Sequence, residues 1–360
     1  MQRSTEELFA DADRQLTICN ACRYCEGYCA VFPALELRTH FESGDISYLA
    51  NLCHDCRGCY QACMYTPPHE FGVNLPALLS DVRAETYSRY AFPRSLAGAF
   101  NRGPLALAIA TILASAIVGL VLWLSGQGDG IFDRHQGPGA FYDVVPYVGM
   151  VVPALLISAW GLAVVAIGTM RFWRSAGGSW QDLVRPAHWR TALDEAAKLR
   201  WLHGGGGDCF VPDAERPSPW RRRFHHFVFY GFLLSFLATV SAAVAENLLH
   251  QKPPYAVISV PVILGIIGGT GLMIGCLGLV AVRRSPKEST DALGVSFLLI
   301  LFLVSLSGMV LLVLRDTKVM GTMLLLHLIL VFALYLTAPY GRFVHAAYRL
   351  MALVKSASER

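Results

Sequence analysis

Cys19-Asn20-Ala21-Cys22-Arg23-Tyr24-Cys25-Glu26-Gly27-Tyr28-Cys29 and Cys53-His54-Asp55-Cys56-Arg57-Gly58-Cys59-Tyr60-Gln61-Ala62-Cys63 are two copies of one pattern, C-x2-C-x2-C-x3-C. Thiolates two residues apart wrap one corner of an iron–sulfur cubane and leave the intervening amides free to face its sulfides. In such a run the fourth cysteine ligates the other cluster. The spacing therefore assigns one [4Fe–4S] cluster to Cys19, Cys22, Cys25 and Cys63, and a second to Cys53, Cys56, Cys59 and Cys29. Zinc also takes C-x2-C pairs, but it does not require the doubled 2-2-3 spacing. Disulfides need an oxidising compartment, and the segment from Met1 to Glu7 has no secretory character. Cys209 and Cys276 stand outside both runs.

Outward from these runs, the first ninety residues are polar and show no alternating strand pattern. Pro33, Gly44 and Asp45 punctuate the stretch between the runs as the start of one short helix, its end, and the cap of the next. The remainder is strongly apolar. The 360 residues are 54% hydrophobic and 16% charged, and the mean hydropathy is +0.44, which only membrane spans account for. Six apolar runs follow, near 105–124, 144–167, 227–249, 257–282, 293–314 and 322–340. The expected fold is all-α: an α-helical ferredoxin domain with two [4Fe–4S] sites, then a six-helix transmembrane bundle.

The expected boundaries are 1–90 for the ferredoxin domain and 91–170 for a linker with spans one and two. A loop occupies 171–223, with a helix lying at the membrane interface near 189–202 and a glycine-rich stretch after it. Spans three to six with haem ligands fill 224–350, and 351–360 is a tail. The net charge of +4 is no sign of nucleic acid, because the basic residues sit between spans. The loop between spans two and three, the loop between four and five, and the C-terminal segment hold ten, three and four Lys/Arg, against Arg134, Lys252, Arg315 and Lys318 on the other side. That asymmetry places both termini in the cytoplasm of a bacterial cell, with the chain crossing the inner membrane. The fourth span carries Gly265/Gly269 and Gly271/Gly275, small-residue pairs that bring helices close.

Histidines beside spans are the remaining candidates for function. His225 and His226 open the third span and His250 closes it. His327 and His345 are 18 residues apart, five full turns and about 27 Å on one continuous helix. The spacing suggests a haem on each side of the membrane: an inner one between His345 and either His225 or His226, and an outer one between His327 and His250. Two axial histidines leave iron no open position, which suits electron transfer. His54, between Cys53 and Cys56, reads as a surface residue.

Taken together, the doubled cysteine runs, the glycine stretch before Cys209, Arg222-Arg223-Phe224-His225-His226-Phe227, Pro254-Tyr255 and Pro339-Tyr340-Gly341-Arg342-Phe343-Val344-His345 resemble the tricarballylate/citrate utilisation protein B family over nearly the whole chain. The resemblance implies a membrane protein with [4Fe–4S] clusters and one or two b haems. It would accept electrons from a soluble FAD-dependent dehydrogenase, the A protein, and pass them to membrane quinone. On this reading the chain is the electron-transfer subunit of an oxidoreductase and has no organic-substrate site. Other readings are a cobalamin-pathway or heterodisulfide-reductase-like redox module, and a membrane iron–sulfur redox sensor that carries no current.

Overall fold

The computed structural model describes residues 4–100, 103–202, 209–210, 217–282 and 292–360. Among these the chain is helical, apart from a two-residue antiparallel pairing of Cys209–Phe210 with Pro217–Ser218. The glycine stretch 204–207 lies outside the described residues.

The ferredoxin domain is built from α1 (Thr5–Cys22), α2 (Val31–Glu36), α3 (Ser43–Leu52), α4 (Gly58–Ala62) and α5 (Leu75–Tyr90). A capping box starts α1: the Ser4 hydroxyl accepts from the Glu7 amide at 3.2 Å, and the Glu7 carboxylate accepts from the Ser4 amide at 2.8 Å. Asn74 caps α5 through its side chain, with Pro76 in the first turn. The start of α3 differs from expectation. Glu42, not Asp45, is its cap, and Gly44 lies inside its first turn. The reason is tertiary: a Cβ at Gly44 would overlap the Ser175 carbonyl at the end of the second span. Gly44 is a close-approach glycine rather than a helix terminator. Gly44→Val should therefore force that seam apart, with a cost of about 1–3 kcal/mol for overpacking. A lowered unfolding midpoint in detergent checks this, and an unchanged midpoint would show that the seam gives way freely.

Beyond α6 (Arg94–Phe100), six helices are long and apolar enough to cross a membrane: α7 (Gly103–Ser125), α8 (Tyr147–Ser175), α11 (Trp220–Asn247), α12 (Val260–Val282), α13 (Ala292–Leu314) and α14 (Met320–Thr337). Between α8 and α11 lie α9 (Trp180–Leu183) and α10 (Pro186–Ala197), and α15 (His345–Glu359) ends the chain. The tightest seam joins α11 to α12. Cβ atoms at Gly268 or Gly275 would press on the Ser235 and Val228 amides, and one at Gly278 would enter the Phe224 ring. Of the four glycines in the expected pairs only Gly275 makes this close approach; Gly265, Gly269 and Gly271 meet ordinary contacts, and Gly268 and Gly278 stand outside the pairs.

At one end of the bundle the loops knit to one another. Arg134 donates to the Asp316 carbonyl at 2.9 Å, the Gly139 amide to the Pro253 carbonyl at 2.7 Å, and Arg315 to the Tyr255 carbonyl at 2.6 Å. At the opposite end sits the ferredoxin domain, against α8 and α15, with α10 packed on α15. One hydrophobic core runs through both parts: Leu16, Leu35, Leu49, Leu52 and Leu79 of the ferredoxin domain share it with Phe172 and Trp173 of α8 and Tyr348 and Leu353 of α15. Full burial of a side chain of this size stabilises by roughly 1.5–3 kcal/mol, so the two parts fold as one body at this end.

Two expectations about the C-terminus are corrected. The sixth span does not continue to His345. It stops at Thr337, because Pro339 has no amide to donate and the Gly341 amide turns back to the Thr337 carbonyl at 2.8 Å. A single 3-10 turn, Arg342–Val344, then redirects the chain. The 18-residue spacing thus no longer fixes how His327 and His345 lie. Residues 351–360 are also no free tail. They complete α15, where Glu359 binds Arg38 at 2.6 Å and the Tyr48 hydroxyl at 2.8 Å, and Arg360 binds buried Glu195 of α10 at 2.9 Å. The face of α10 that carries Ala192 and Glu195 is buried there.

Candidate redox site

The two cysteine runs start differently, Cys19 and Cys22 on the last turn of α1 and Cys53 to Cys56 in a non-helical segment after α3, but they have one turn in common. In each, the residue after the second cysteine is an arginine in the left-handed region, Arg23 (φ 54°, ψ 9°) and Arg57 (φ 63°, ψ 7°). Such a residue turns successive amides toward one concave side, a shape suited to an anionic group. Amides already face the thiols: Asp55 N–H donates to Cys53 Sγ and Tyr65 N–H to Cys63 Sγ, both at 3.4 Å.

All eight cysteines are free thiols. Cys19, Cys22, Cys25 and Cys63 line one open cleft, together with Phe32 and Tyr65. Cys29 lies within electrostatic reach of Cys53 and Cys56, and Cys59 within reach of all three. The groups adjoin where Cys25 Sγ comes within 4.0 Å of the Cys59 carbonyl. The fold thus gathers the thiols as three from one run and the last from the other. Burial pushes Cys19 up to about 12 and Cys25 to about 11, with Cys63 adding to both. Burial also raises Cys29, Cys53, Cys56 and Cys59. Clustered buried thiols become thiolates only when a cationic centre takes them as ligands. Among the described residues, no three Cys, His, Asp or Glu side chains converge closely enough for a single metal ion.

The histidines divide. His225 on α11 and His345 at the head of α15 face each other with ring centroids 6.3 Å apart and planes at 84°. The Nδ1 of His345 lies 2.6 Å from the Arg342 carbonyl, which fixes the ring and leaves Nε2 free. The Nδ1 of His225 is buried without a partner. Burial first, then Arg349 and His225, hold His345 well below the usual imidazole range, so it is neutral. His226 does not join them and stacks on Tyr230 at 5.9 Å. Nor does the structure pair His327 with His250. His327 Nδ1 meets the Ser307 hydroxyl of α13 at 3.0 Å, whereas His250 stands exposed beyond α11 in a left-handed turn.

His54 is not the surface residue expected. It is largely covered, its Nδ1 lies 2.7 Å from the Leu52 carbonyl, and burial, then Arg349, drive it well below the usual range. Arg83, His225 and Arg349 lie within its electrostatic reach, all of them distant in sequence, so local sequence does not reveal them. Three arginines around it were also missed. Arg83 and Arg349 both donate to the Cys53 carbonyl, at 2.5 and 2.6 Å. Arg221 donates to the Asp55 carbonyl at 2.6 Å and approaches its carboxylate at 3.5 Å. Spacing held a signal for two of them: Arg221 stands four residues before His225, and Arg349 four after His345, each one helical turn away.

Two thiol tetrads on a helical ferredoxin-type domain, joined through a common core to six membrane-length helices, define an integral membrane redox protein. The comparisons with known proteins agree. A family model described as Citrate utilization protein B matches residues 99–360, and one described as the Citrate utilization protein B Fer4-like domain matches residues 12–89. A protein of Escherichia coli described as Citrate utilization protein B is 40% identical over 359 residues, covering 98% of this chain and 92% of that protein. The chain belongs to the citrate utilization protein B family. No solved structure matches it.

Proposed function

We propose that this chain carries electrons across the membrane interface in citrate or tricarballylate utilisation. It takes them from a cytoplasmic FAD-dependent dehydrogenase, the A protein, and delivers them to a quinone in the bacterial inner membrane. Two [4Fe–4S] clusters and one b haem are the carriers. The single observation that supports this most is the stacking of parts at one end of the bundle: two cysteine tetrads, then His54, then the facing rings of His225 and His345.

The residues fit the groups. Four free thiols around each site, with inward amides and no convergence tight enough for one ion, suit a cubane that offers each thiolate its own iron corner. The ring spacing of His225 and His345 suits haem. His225, whose buried Nδ1 has no partner, and His345, whose Nδ1 is held by the Arg342 carbonyl, would be the residues that hold it. When bound, clusters and bis-histidine haem each take up and release single electrons without a vacant coordination position. The protein's part is to hold them close, keep water out, and fix their order. Cys19, Cys22, Cys25 and Cys63 hold the cluster nearer solvent, and Cys29, Cys53, Cys56 and Cys59 the one nearer the membrane. The Arg342 carbonyl orients His345.

The purified protein should contain about eight irons as clusters. After reduction it should show EPR signals of two interacting [4Fe–4S] centres and the optical spectrum of low-spin b haem. Stoichiometric zinc without a cluster signal would falsify the assignment. Clusters without haem and without a quinone response would point to a redox sensor instead.

A further inference from the structure

Resting on the cluster and haem reading above, we infer that Arg349, Arg83 and Arg221 make the Cys29/Cys53/Cys56/Cys59 site the exit station of the electron path, by raising its electron affinity above that of the Cys19/Cys22/Cys25/Cys63 site.

The two tetrads differ in their surroundings. The first opens to solvent: Cys22 is exposed, and Tyr24 and Met64 beside it are more than half exposed. In the second, Cys53 and Cys56 are buried, and Leu199 and Leu202 cover Cys56. The corresponding segments differ in charge as well. Cys19 and Cys22 lie on the last turn of α1, which is followed by the exposed Arg23, donating to the Asn20 carbonyl at 3.0 Å. The Cys53–Cys56 loop is gripped by Arg83, Arg349 and Arg221 at its carbonyls. Its one acidic group, Asp55, faces both Arg57 at 3.6 Å and Arg221 at 3.5 Å. Cations outnumber the anion there, and Arg83 is buried.

An added electron makes a cluster site more negative. Fixed positive charge in a poorly screened setting stabilises the reduced form, whereas solvent screens charges near the open site. The grip also joins the loop to both facing histidines. Arg349 lies one turn beyond His345 on α15, and Arg221 one turn before His225 on α11. Both ring-bearing helices thus hold the Cys53 loop, and His54 lies within electrostatic reach of His225.

The electron balance is simple. Loaded, the Cys19/Cys22/Cys25/Cys63 site would supply a one-electron donor, the Cys29/Cys53/Cys56/Cys59 site its one-electron acceptor, and the His225/His345 pair would hold the group that takes that electron on. No bond to cysteine or histidine is made or broken. The reductant is a reduced flavin, for which dithionite substitutes in the test.

The test is a redox titration of the full-length protein in detergent, followed by EPR for the clusters and by optical spectrum for the haem. Cys53→Ser and Cys22→Ser identify which signal belongs to which tetrad. In Arg349→Gln the Cys53 signal should titrate at a lower potential and the Cys22 signal at its original one. Haem reduction by dithionite through the clusters should slow correspondingly. Arg349→Lys, which keeps the charge, should retain the original potential, and Arg83→Gln should repeat the downward shift by an independent route. Arg23→Gln should leave the Cys53 signal in place. A shift confined to the Cys22 signal, or no shift with iron content intact, overturns the inference. So does cluster loss in both Arg349→Gln and Arg83→Gln, which would make these arginines supports of the fold alone. A wild-type protein without clusters would instead overturn the underlying reading.

Discussion

In His345→Ala the low-spin b-type spectrum of the purified protein should disappear, while about eight irons remain in clusters. His345 begins α15, and its ring stands 6.3 Å from that of His225. Alanine offers iron no ligand, so a haem held by His225 and His345 would be lost or would turn high-spin. Electrons supplied by dithionite or by the dehydrogenase should then accumulate on the clusters, and quinone reduction should fall to background. His226→Ala is the contrast. His226 stacks on Tyr230 and does not face His345, so this variant should keep its haem and most of its activity. Retention of the full spectrum and of quinone reduction in His345→Ala would leave His345 as a packing residue at the end of the bundle.

The second large effect concerns the fourth cysteine of each run. Cys63 lines the cleft with Cys19, Cys22 and Cys25, and Cys29 lies with Cys53, Cys56 and Cys59. In Cys63→Ser the EPR signal that is also lost in Cys22→Ser should vanish or change type, and the Cys53 signal should persist. In Cys29→Ser the reverse should hold. Each variant should lose up to about four irons. If Cys63→Ser instead abolishes the Cys53 signal, ligation is uncrossed and the two sites are built from separate runs. Cys276, buried in α12 far from both tetrads in the chain, is the control: Cys276→Ser should keep both signals.

Much of the fold was legible because its causes are local. Thiolate spacing is set within eleven residues, and membrane spans are set by uninterrupted apolar length. The chemistry-bearing surroundings were less so. The reading of His327 and His345 as one helical face failed at Pro339 and Gly341, where the helix stops. Yet His345 still meets His225, because the turn at Arg342–Val344 carries it there. Gly44 was taken for a helix end, although its role is to let α3 approach Ser175. His54 reads as a surface residue, although it is largely covered and lies within electrostatic reach of Arg349 and His225. In each case the deciding partner lies far along the chain, and no local periodicity encodes it. The repeated Arg after the second cysteine of each run, Arg23 and Arg57, is by contrast a local signal present in the sequence itself.

The hydrophobic core common to the ferredoxin domain, α8 and α15 has a consequence for how the molecule is made. The cysteine-bearing segment leaves the ribosome first, but its apolar face is covered by Phe172 and Trp173 of the second span and by Tyr348 and Leu353 of the last helix. Until the second span and α15 are in place, that face has nothing to close against. Closure of the domain therefore depends on insertion of the spans and comes after it.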